Sequence, residues 1–363
     1  MESNAKRSVD IRYIVGSLML SIGIGGLYLG GSWNWLGVFA FIIVLSLDVG
    51  LPGDEAPREV DSGGFQQLIL YLQWPLIVIL WLLFADTLAQ ANSSAFDLAG
   101  AILSIAFLSA LGGLPPSHEL MHRHGQFARF YSSLYTTLFL LPMNDLGHVQ
   151  GHHLKVATTE DSDTPRRGEW VYTFAFRSLW GQMMDSFKME KQRLAKMKKP
   201  LFSPSGRFFQ SLLLVTLWLG SWFYVAGIAA LPLFIVTMAT LYLVLGGFNY
   251  TQHYGLIRVI GEPIEVRHSW NQLKPLSRAL SFEISNHSEH HLVPTRFYTD
   301  LKPYPEAPQL PSIALCFVSA FIPRVWENVI VRPQLEQWDQ HFANDQERLL
   351  AIEANKRAGW VSL

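Results

Sequence analysis

Long apolar runs separated by short polar segments dominate the pattern of the chain. Six runs are long enough to cross a hydrocarbon core about 30 Å thick as α-helices, which takes about 20 residues at 1.5 Å per residue. The runs cover residues 12–31, 34–51, 66–88, 97–115, 208–228 and 230–249. The first run lacks a small-residue cleavage site, so we interpret it as a membrane helix rather than a signal peptide. The pattern predicts an all-α membrane protein with six transmembrane helices in three hairpins.

Two long polar regions, 116–207 and 250–363, follow the fourth and the sixth run. The 28 Lys and Arg residues lie in these regions, in the N-terminus, which includes Lys6 and Arg7, and in the segment between the second and third runs. By the positive-inside rule, both termini and both polar regions are cytoplasmic, and the membrane is of the bacterial inner type. We expect a single integral-membrane domain over residues 1–363 with a cytoplasmic helical cap. An interrupted apolar stretch at 312–330 leaves a seventh crossing open.

Composition narrows the chemistry that this chain can carry alone. The sequence is 50% apolar and only 16% charged, which is typical of a membrane protein. Its single cysteine, Cys316, excludes an internal disulfide, cysteine-ligated zinc and an iron–sulfur cluster. No Gly-rich dinucleotide fingerprint follows a strand, so we expect neither flavin nor NAD on this chain. Electrons for a redox reaction must then come from a partner protein, and we expect the lipid bilayer, but no nucleic acid, as a further partner.

Nine of the twelve histidines form four clusters, all on the predicted cytoplasmic side. The clusters are His118 and His122; His148, His152 and His153; His253; and His287, His290 and His291. Imidazoles three or four residues apart share one helical face, where they bind a metal or repel each other when protonated. Nine imidazoles exceed one mononuclear site and fit two metals with four or five ligands each. Imidazole suits zinc, copper, iron and nickel, and the apolar surroundings favour iron and oxygen activation.

Nearby carboxylates are expected to orient the ring N–H groups and to offset the charge of two cations. The candidates are Glu119, Asp145, Asp161, Asp163, Glu283 and Glu289. We assign catalysis to the di-iron centre itself, without a separate acid or base. The remaining histidines, His124, His268 and His341, are interpreted as ordinary core or surface residues.

The histidine motifs closely resemble those of the integral-membrane non-haem di-iron oxygenases of the alkane 1-monooxygenase type. His118-Glu119-Leu120-Met121-His122 is similar to the first box of that family, His148-x-x-x-His152-His153 to the second, and His287-Ser288-Glu289-His290-His291 to the third. Asn249-Tyr250-Thr251-Gln252-His253 resembles the signature that separates the family from fatty-acyl desaturases. Within the family, Asp161-Ser162-Asp163-Thr164-Pro165 and the tail stretch at 354–360 resemble the hydroxylase component of xylene and p-cymene monooxygenases.

The resemblance implies a function, and two departures refine it. It implies that the nine histidines bind two irons, that O2 is the co-substrate, and that a ferredoxin-type NADH reductase supplies the electrons. One oxygen atom would enter the methyl group of a hydrophobic alkylbenzene such as toluene or xylene, giving a benzylic alcohol. Alkane hydroxylases carry a Glu where this chain has Gly147, and usually one where it has Gln252. A straight-chain alkane substrate is therefore not favoured.

Other functions remain open from the sequence. The chain could be an alkane terminal hydroxylase. It could also be a fatty-acyl desaturase or hydroxylase, although the second box of those enzymes usually has two residues, not three, before its His-His pair. A membrane metal-binding or transport protein is the non-enzyme alternative. For such a protein we would expect ligands within the spans, lining a path, rather than gathered at one face.

Overall fold

The computed structural model describes residues 10–57, 60, 63–90 and 93–360. Lys6 and Arg7 of the basic N-terminus, and Arg58 between the second and third runs, lie outside the described residues. The helices, in chain order, are α1 (Val15–Leu29), α2 (Leu36–Gly50), α3 (Gly64–Ala89), α4 (Ala95–Met121), α5 (Gln126–Leu138), α6 (His153–Lys155), α7 (Val171–Lys196), α8 (Arg207–Ala226), α9 (Leu231–His253), α10 (Pro275–Leu280), α11 (His287–Leu292), α12 (Ile313–Ala320), α13 (Pro323–Val325), α14 (Arg332–His341) and α15 (Asp345–Arg357). A π-helical segment, Leu146–His152, leads into α6.

Six helices are long and apolar enough to span a membrane, which confirms the predicted number. They are α1, α2, α3, α4, α8 and α9, and short 3-10 turns extend α1, α2 and α9 at their N-terminal ends. Many of their large apolar side chains are exposed, among them Leu18, Phe39 and Leu217. Such side chains are stable against lipid and not against water. The helices therefore form a bundle that meets the bilayer directly.

Helix α4 is the centre of the bundle. A capping box starts it, because Ser94 accepts the backbone N–H of Asp97 while the Asp97 side chain accepts the N–H of Ser94. It packs against α1, α2, α3, α5 and α9. Small residues allow these close contacts: a Cβ on Gly113 would lie 2.5 Å from the Phe139 ring. The helix is thus held on several sides, and its C-terminal end is a rigid support.

Two membrane helices run further than the apolar pattern predicts. The fourth run ends at residue 115 in the sequence, but α4 continues through Pro115 and Pro116 to Met121. The sixth run ends at residue 249, and α9 continues to His253. Both extensions carry buried polar residues, so hydropathy falls before the helix ends. Pro115 and Pro116 lack the backbone N–H groups that a helix normally uses, and the packing around α4 keeps it helical there. His118 and His253 are therefore part of membrane helices.

Helices outside the bundle cover one end of it. Their core includes Trp270, Trp326 and Trp338, and it joins α7 and the end of α9 to the C-terminal region. The apolar stretch at 312–330 breaks after the eight residues of α12, which is too short for a seventh crossing. Within the described residues, the polar regions thus form a helical cap on six spans. The prediction of one domain over the whole chain stays a prediction.

Candidate metal centre

The four histidine clusters meet where α4, α9, α11 and the π-helical segment come together. His118 lies in the last turn of α4 and His122 directly follows the helix. His253 is the last residue of α9, and α11 carries the third box. All nine imidazoles are buried. Residues that are up to 173 positions apart in the sequence therefore share one site.

The nine histidines divide into two groups that could each hold a metal ion. Ring nitrogens of one group, and likewise those of the other, lie within 4.8 Å of one another. The five-histidine group consists of His118, His122, His148, His153 and His290, and the four-histidine group of His152, His253, His287 and His291. The second and third boxes contribute to both groups, whereas the first box contributes to the five-histidine group alone.

Distances between ring nitrogens fit metal ligation. In the four-histidine group, the Nε2 atoms of His253 and His287 are 2.7 Å apart, and each is 3.2 Å from Nε2 of His291. Two imidazole ligands at about 2.0–2.1 Å from one zinc-like ion lie roughly 2.8–3.4 Å apart. A neutral imidazole has one N–H, so three facing nitrogens cannot all be satisfied by bonds among themselves. The arrangement is that of a coordination shell.

Nitrogen positions in the five-histidine group also fit metal ligation. Nε2 of His153 is 3.1 Å from Nε2 of both His148 and His290. Both ring nitrogens of His122 are buried without a hydrogen-bond partner in the part of the chain that the structure describes. A buried polar atom without a partner is costly, and a bound cation would remove that cost.

The π-helical turn explains how one box serves both groups. In an α-helix, residues i and i+5 point away from each other, but the wider turn of a π-helix brings them onto one face. His148 and His153 therefore face each other in the five-histidine group, while His152 faces the four-histidine group. The sequence spacing indicated an i, i+4, i+5 set, but the π-helix was not predicted.

Left-handed backbone conformations direct the third box into the site. Phe282 and Glu283, just before α11, have φ angles of 48° and 64°. Such angles are uncommon for residues other than glycine and need support from the surrounding structure. The buried Glu283 carboxylate provides it, accepting bonds from Tyr13 Oη at 2.7 Å and Arg278 Nε at 2.6 Å. Glu283, a predicted carboxylate neighbour of the metals, thus stabilises the turn before the box.

Burial keeps most of the imidazoles neutral. It lowers the pKa of His122 and of His287 to about 3, with a further contribution from His152. Burial also places the pKa values of His148, His153, His290 and His291 well below the ordinary value of 6.5. Neutral imidazoles offer lone pairs, which is the form that a metal requires.

Asp161 and Asp163 are the predicted carboxylates closest to the ring nitrogens. Asp161 Oδ2 accepts a hydrogen bond from Nδ1 of His152 at 2.8 Å, which leaves Nε2 free for a metal. Burial lowers the pKa of His152, but the charge of Asp161 and this bond outweigh burial and raise it. Asp163 groups with His148 and His152, and burial raises its pKa to about 6. Asn249 and Ser178 donate to the Asp163 carboxylate.

The other predicted carboxylates bind arginines. Arg207 donates two bonds to Asp145, at 2.6 and 2.7 Å. Glu119 pairs with Arg123, and Glu289 with Arg296. Sequence reasoning missed these arginines, as well as Ser178 and Asn249 beside Asp163. The i, i+4 spacing of Glu119 and Arg123 was the available signal for one of them.

A mostly apolar cavity of about 120 Å³ adjoins both histidine groups. His118 and His148 of one group line it, together with His152, His253 and His287 of the other. Its apolar wall includes Leu45, Leu111, Leu114, Leu245 and Phe248 from the membrane helices. A small apolar molecule in this cavity would therefore lie beside both candidate metal positions.

Comparison with known proteins assigns this architecture to a family. Residues 92–312 match the family model described as fatty acid desaturase. The chain is 40% identical over 357 residues to the xylene/toluene monooxygenase hydroxylase component of Pseudomonas putida, with 96% of this chain and 95% of that protein covered. It is 27% identical to an alkane 1-monooxygenase of Pseudomonas putida, covering 90% and 82%, and 26% identical to one of Alcanivorax borkumensis, covering 90% and 85%. The chain therefore belongs to the family of membrane monooxygenases that includes the xylene/toluene monooxygenase hydroxylase component and the alkane 1-monooxygenases.

Proposed function

We propose that this protein hydroxylates the methyl group of alkylbenzenes such as toluene or xylene, using O2 and electrons from a separate reductase. The observation that carries the proposal is the cavity beside the histidines, in a chain that is 40% identical to a xylene/toluene monooxygenase component. The reaction adds one oxygen atom to a methyl C–H bond and releases the other as water. It consumes two electrons and two protons.

The nine histidines are proposed to hold two irons, one in each group. The donor set supports this, because all nine imidazoles are buried, eight of them have either nitrogens that face one another or buried nitrogens without partners among the described residues, and imidazole suits iron. Bound iron would supply the oxygen activation that no side chain can. The chain's own residues hold and orient it: Asp161 sets the tautomer of His152, and Asp161 and Asp163 offset the added positive charge.

The size of the cavity supports a substrate with a single aromatic ring. An engineered apolar cavity of about 150 Å³ in another protein binds benzene, and the cavity here measures about 120 Å³. Leucine and phenylalanine side chains exclude water from the ring, and the five histidines that line the cavity leave the methyl group beside the candidate irons.

Gly147 supports the same substrate class. A Cβ atom there would lie 2.7 Å from the carbonyl oxygen of Gln182 and 2.8 Å from Oγ of Ser186, so α7 leaves no space for a side chain. Gln182 itself lines the cavity. A glutamate at this position would not fit, which agrees with the expectation that a straight-chain alkane is not the substrate.

Electrons are proposed to arrive from a ferredoxin-type NADH reductase. The sequence lacks a dinucleotide fingerprint and has one cysteine, which is buried. We further propose that the cap and both termini are on the cytoplasmic side of a bacterial inner membrane. The distribution of Lys and Arg supports this orientation.

The test is product analysis from cells that express this chain with a ferredoxin-type reductase. The cells receive p-xylene and octane together under oxygen. A benzylic alcohol without octanol supports the proposal, and octanol as the main product would assign the chain to the alkane hydroxylases. A parallel culture fed a fatty acid tests for acyl oxidation, since the matching family model is described as a desaturase. Cells without the reductase should form no product but should retain iron in the protein.

A further inference from the structure

Glutamates within the first and third boxes bind arginines and not histidines. Glu119 lies between His118 and His122, and Glu289 lies between His287 and His290. Their side chains are only 4% and 3% exposed, and each forms an ion pair, with Arg123 and Arg296 respectively. A buried carboxylate needs such a partner, because an unpaired charge away from water is strongly destabilising. Each box thus carries a buried carboxylate that pairs with a partly exposed arginine outside the box.

Arg123 also binds the segment that follows the third box. Its Nη1 donates to the carbonyl oxygen of Thr295 at 3.2 Å, and its Nη2 to that of Arg296 at 3.3 Å. The guanidinium group stacks over the Phe297 ring, 4.5 Å from the centroid. In the opposite direction, the backbone N–H of Tyr298 donates to Glu119 at 3.2 Å. Four contacts therefore connect the first box to residues 295–298.

Arg296 connects the same segment back to the third box. It pairs with Glu289 in α11, and the N–H of Val293 donates to the Glu289 carbonyl at 3.0 Å. A continuous chain of contacts thus joins α4 to α11. It runs from Glu119 to Arg123, from Arg123 to the backbone at 295–296, and from Arg296 to Glu289. We name these residues the Glu–Arg latch.

We propose that Arg123 is a positioning residue that aligns the first box with the third and so completes the five-histidine group. The inference rests on the proposed function, because it takes the two histidine groups as the two iron sites. His118 and His122 of the first box and His290 of the third box meet in the five-histidine group. The four-histidine group has no ligand from the first box. Disturbing the latch should therefore affect one iron more than the other.

Lysine cannot replace this arginine. A lysine keeps the charge opposite Glu119, but a single ammonium cannot reproduce the planar fork that reaches two carbonyl oxygens and stacks on Phe297. Loss of a residue that orients metal ligands typically lowers metal affinity or activity about 10–100-fold. We expect an effect of this size, confined to the five-histidine iron.

The experiment compares iron retention in Arg123→Lys and in the wild type. Both proteins are loaded with 57Fe(II) under nitrogen, dialysed against EDTA, and examined by iron analysis and Mössbauer spectroscopy. The wild type should retain two irons with two resolvable signals. Arg123→Lys should lose one signal at an EDTA concentration about 10–100-fold lower and keep the other.

Arg193→Lys is the matched control. Arg193 pairs with the buried Glu190 in α7 at 2.7 Å, and Glu190 bonds Arg207 rather than a histidine box. This variant should retain both irons as the wild type does. If Arg123→Lys does not fold, the double variant Glu119→Gln with Arg123→Gln removes both charges and leaves no unpaired buried ion. It should show the same selective loss.

The possible outcomes separate the latch from the proposed function. Equal retention of both irons in Arg123→Lys and in the wild type would overturn the latch, as would loss of both irons in parallel from a folded variant. A wild type that retains fewer than two irons would overturn the proposed function and the latch together. Selective loss of one signal supports both.

Discussion

At the scale of single residues, the two histidine groups make separable predictions. His153 belongs to the five-histidine group and His287 to the four-histidine group. Removing either imidazole takes one proposed ligand from its own group and leaves the other group complete. Under the proposed function, turnover needs an iron in each group. The proposed sites can therefore be tested one at a time.

We expect His153→Ala and His287→Ala each to lose about one of two irons and to abolish turnover. The alanine side chain has no nitrogen that could bind iron in place of the removed imidazole. Iron per chain and product formation in isolated membranes measure the two effects. His341→Ala, an exposed histidine outside both groups, is the control and should behave as the wild type. Membrane insertion should be normal in all three variants. Full activity in either alanine variant of the site would refute the assignment.

At the scale of elements, the cavity is shaped by contacts between helices. Phe248 of α9 lines the cavity, and Phe317 of α12 stacks on it with ring centroids 4.6 Å apart. Gly247 makes room for Phe317, since a Cβ there would be 2.9 Å from its ring. The outer face of α12 exposes Leu315 and Val318. The phenylalanine pair thus closes the cavity on the side of α12.

Phe317→Ala should enlarge the cavity behind Phe248 and favour larger substrates. We expect the ratio of kcat/KM for 2-methylnaphthalene to that for toluene to rise about tenfold, since 1–3 kcal/mol of transition-state binding corresponds to about 10–200-fold in a hydrophobic pocket. Product analysis of the two substrates in competition measures this ratio. Phe39→Ala, which removes a lipid-exposed ring from α2, should leave the ratio unchanged. No change in the Phe317 variant would show that this pair does not limit the substrate.

At the scale of the whole molecule, the single cysteine allows a direct test of orientation. Cys316 is buried, and Cys316→Ser provides a background without thiols. In that background, Ser32→Cys lies in the connection between α1 and α2, and Lys198→Cys lies in the cap. Both positions are exposed. A membrane-impermeant thiol reagent applied to spheroplasts should label Ser32→Cys and not Lys198→Cys. After lysis, both should react. The reverse pattern would contradict the proposed orientation.

The buried imidazoles also predict how stability depends on pH. The pKa values of His122 and His287 fall to about 3 in the folded protein, from an ordinary value of 6.5. Between these values the unfolded chain binds protons that the folded chain does not, so stability falls as the pH falls. We expect the thermal midpoint of the metal-free protein in detergent to drop steadily between pH 6.5 and pH 4. His122→Gln with His287→Gln should reduce this slope, and a flat profile in the wild type would contradict the prediction.

The number of membrane spans and the location of the histidine clusters could be predicted from local sequence. Helix length and apolar composition determine six spans, because the thickness of the bilayer core sets the length of a spanning helix. Within the core, the backbone must form its hydrogen bonds inside the segment, which favours a helix. The positions of the histidine clusters relative to the spans determine that they gather at one end of the bundle. Because the candidate ligands are all imidazoles, the sequence also limits which metals the site could hold. That these nine histidines bind iron stays a prediction, as does the cytoplasmic location of the cap.

Other features depend on contacts between residues that are far apart in the chain. The division into five and four histidines follows from a π-helical turn and from the meeting of α4, α9 and α11, neither of which leaves a periodic signal. Glu119 and Glu289 were expected beside ring nitrogens, but the structure pairs them with Arg123 and Arg296. Sequence by itself determined which side chains are present and which end of the bundle they occupy, because hydropathy and charge act locally. The tertiary structure decided which of them touch, because only long-range packing selects one partner among many.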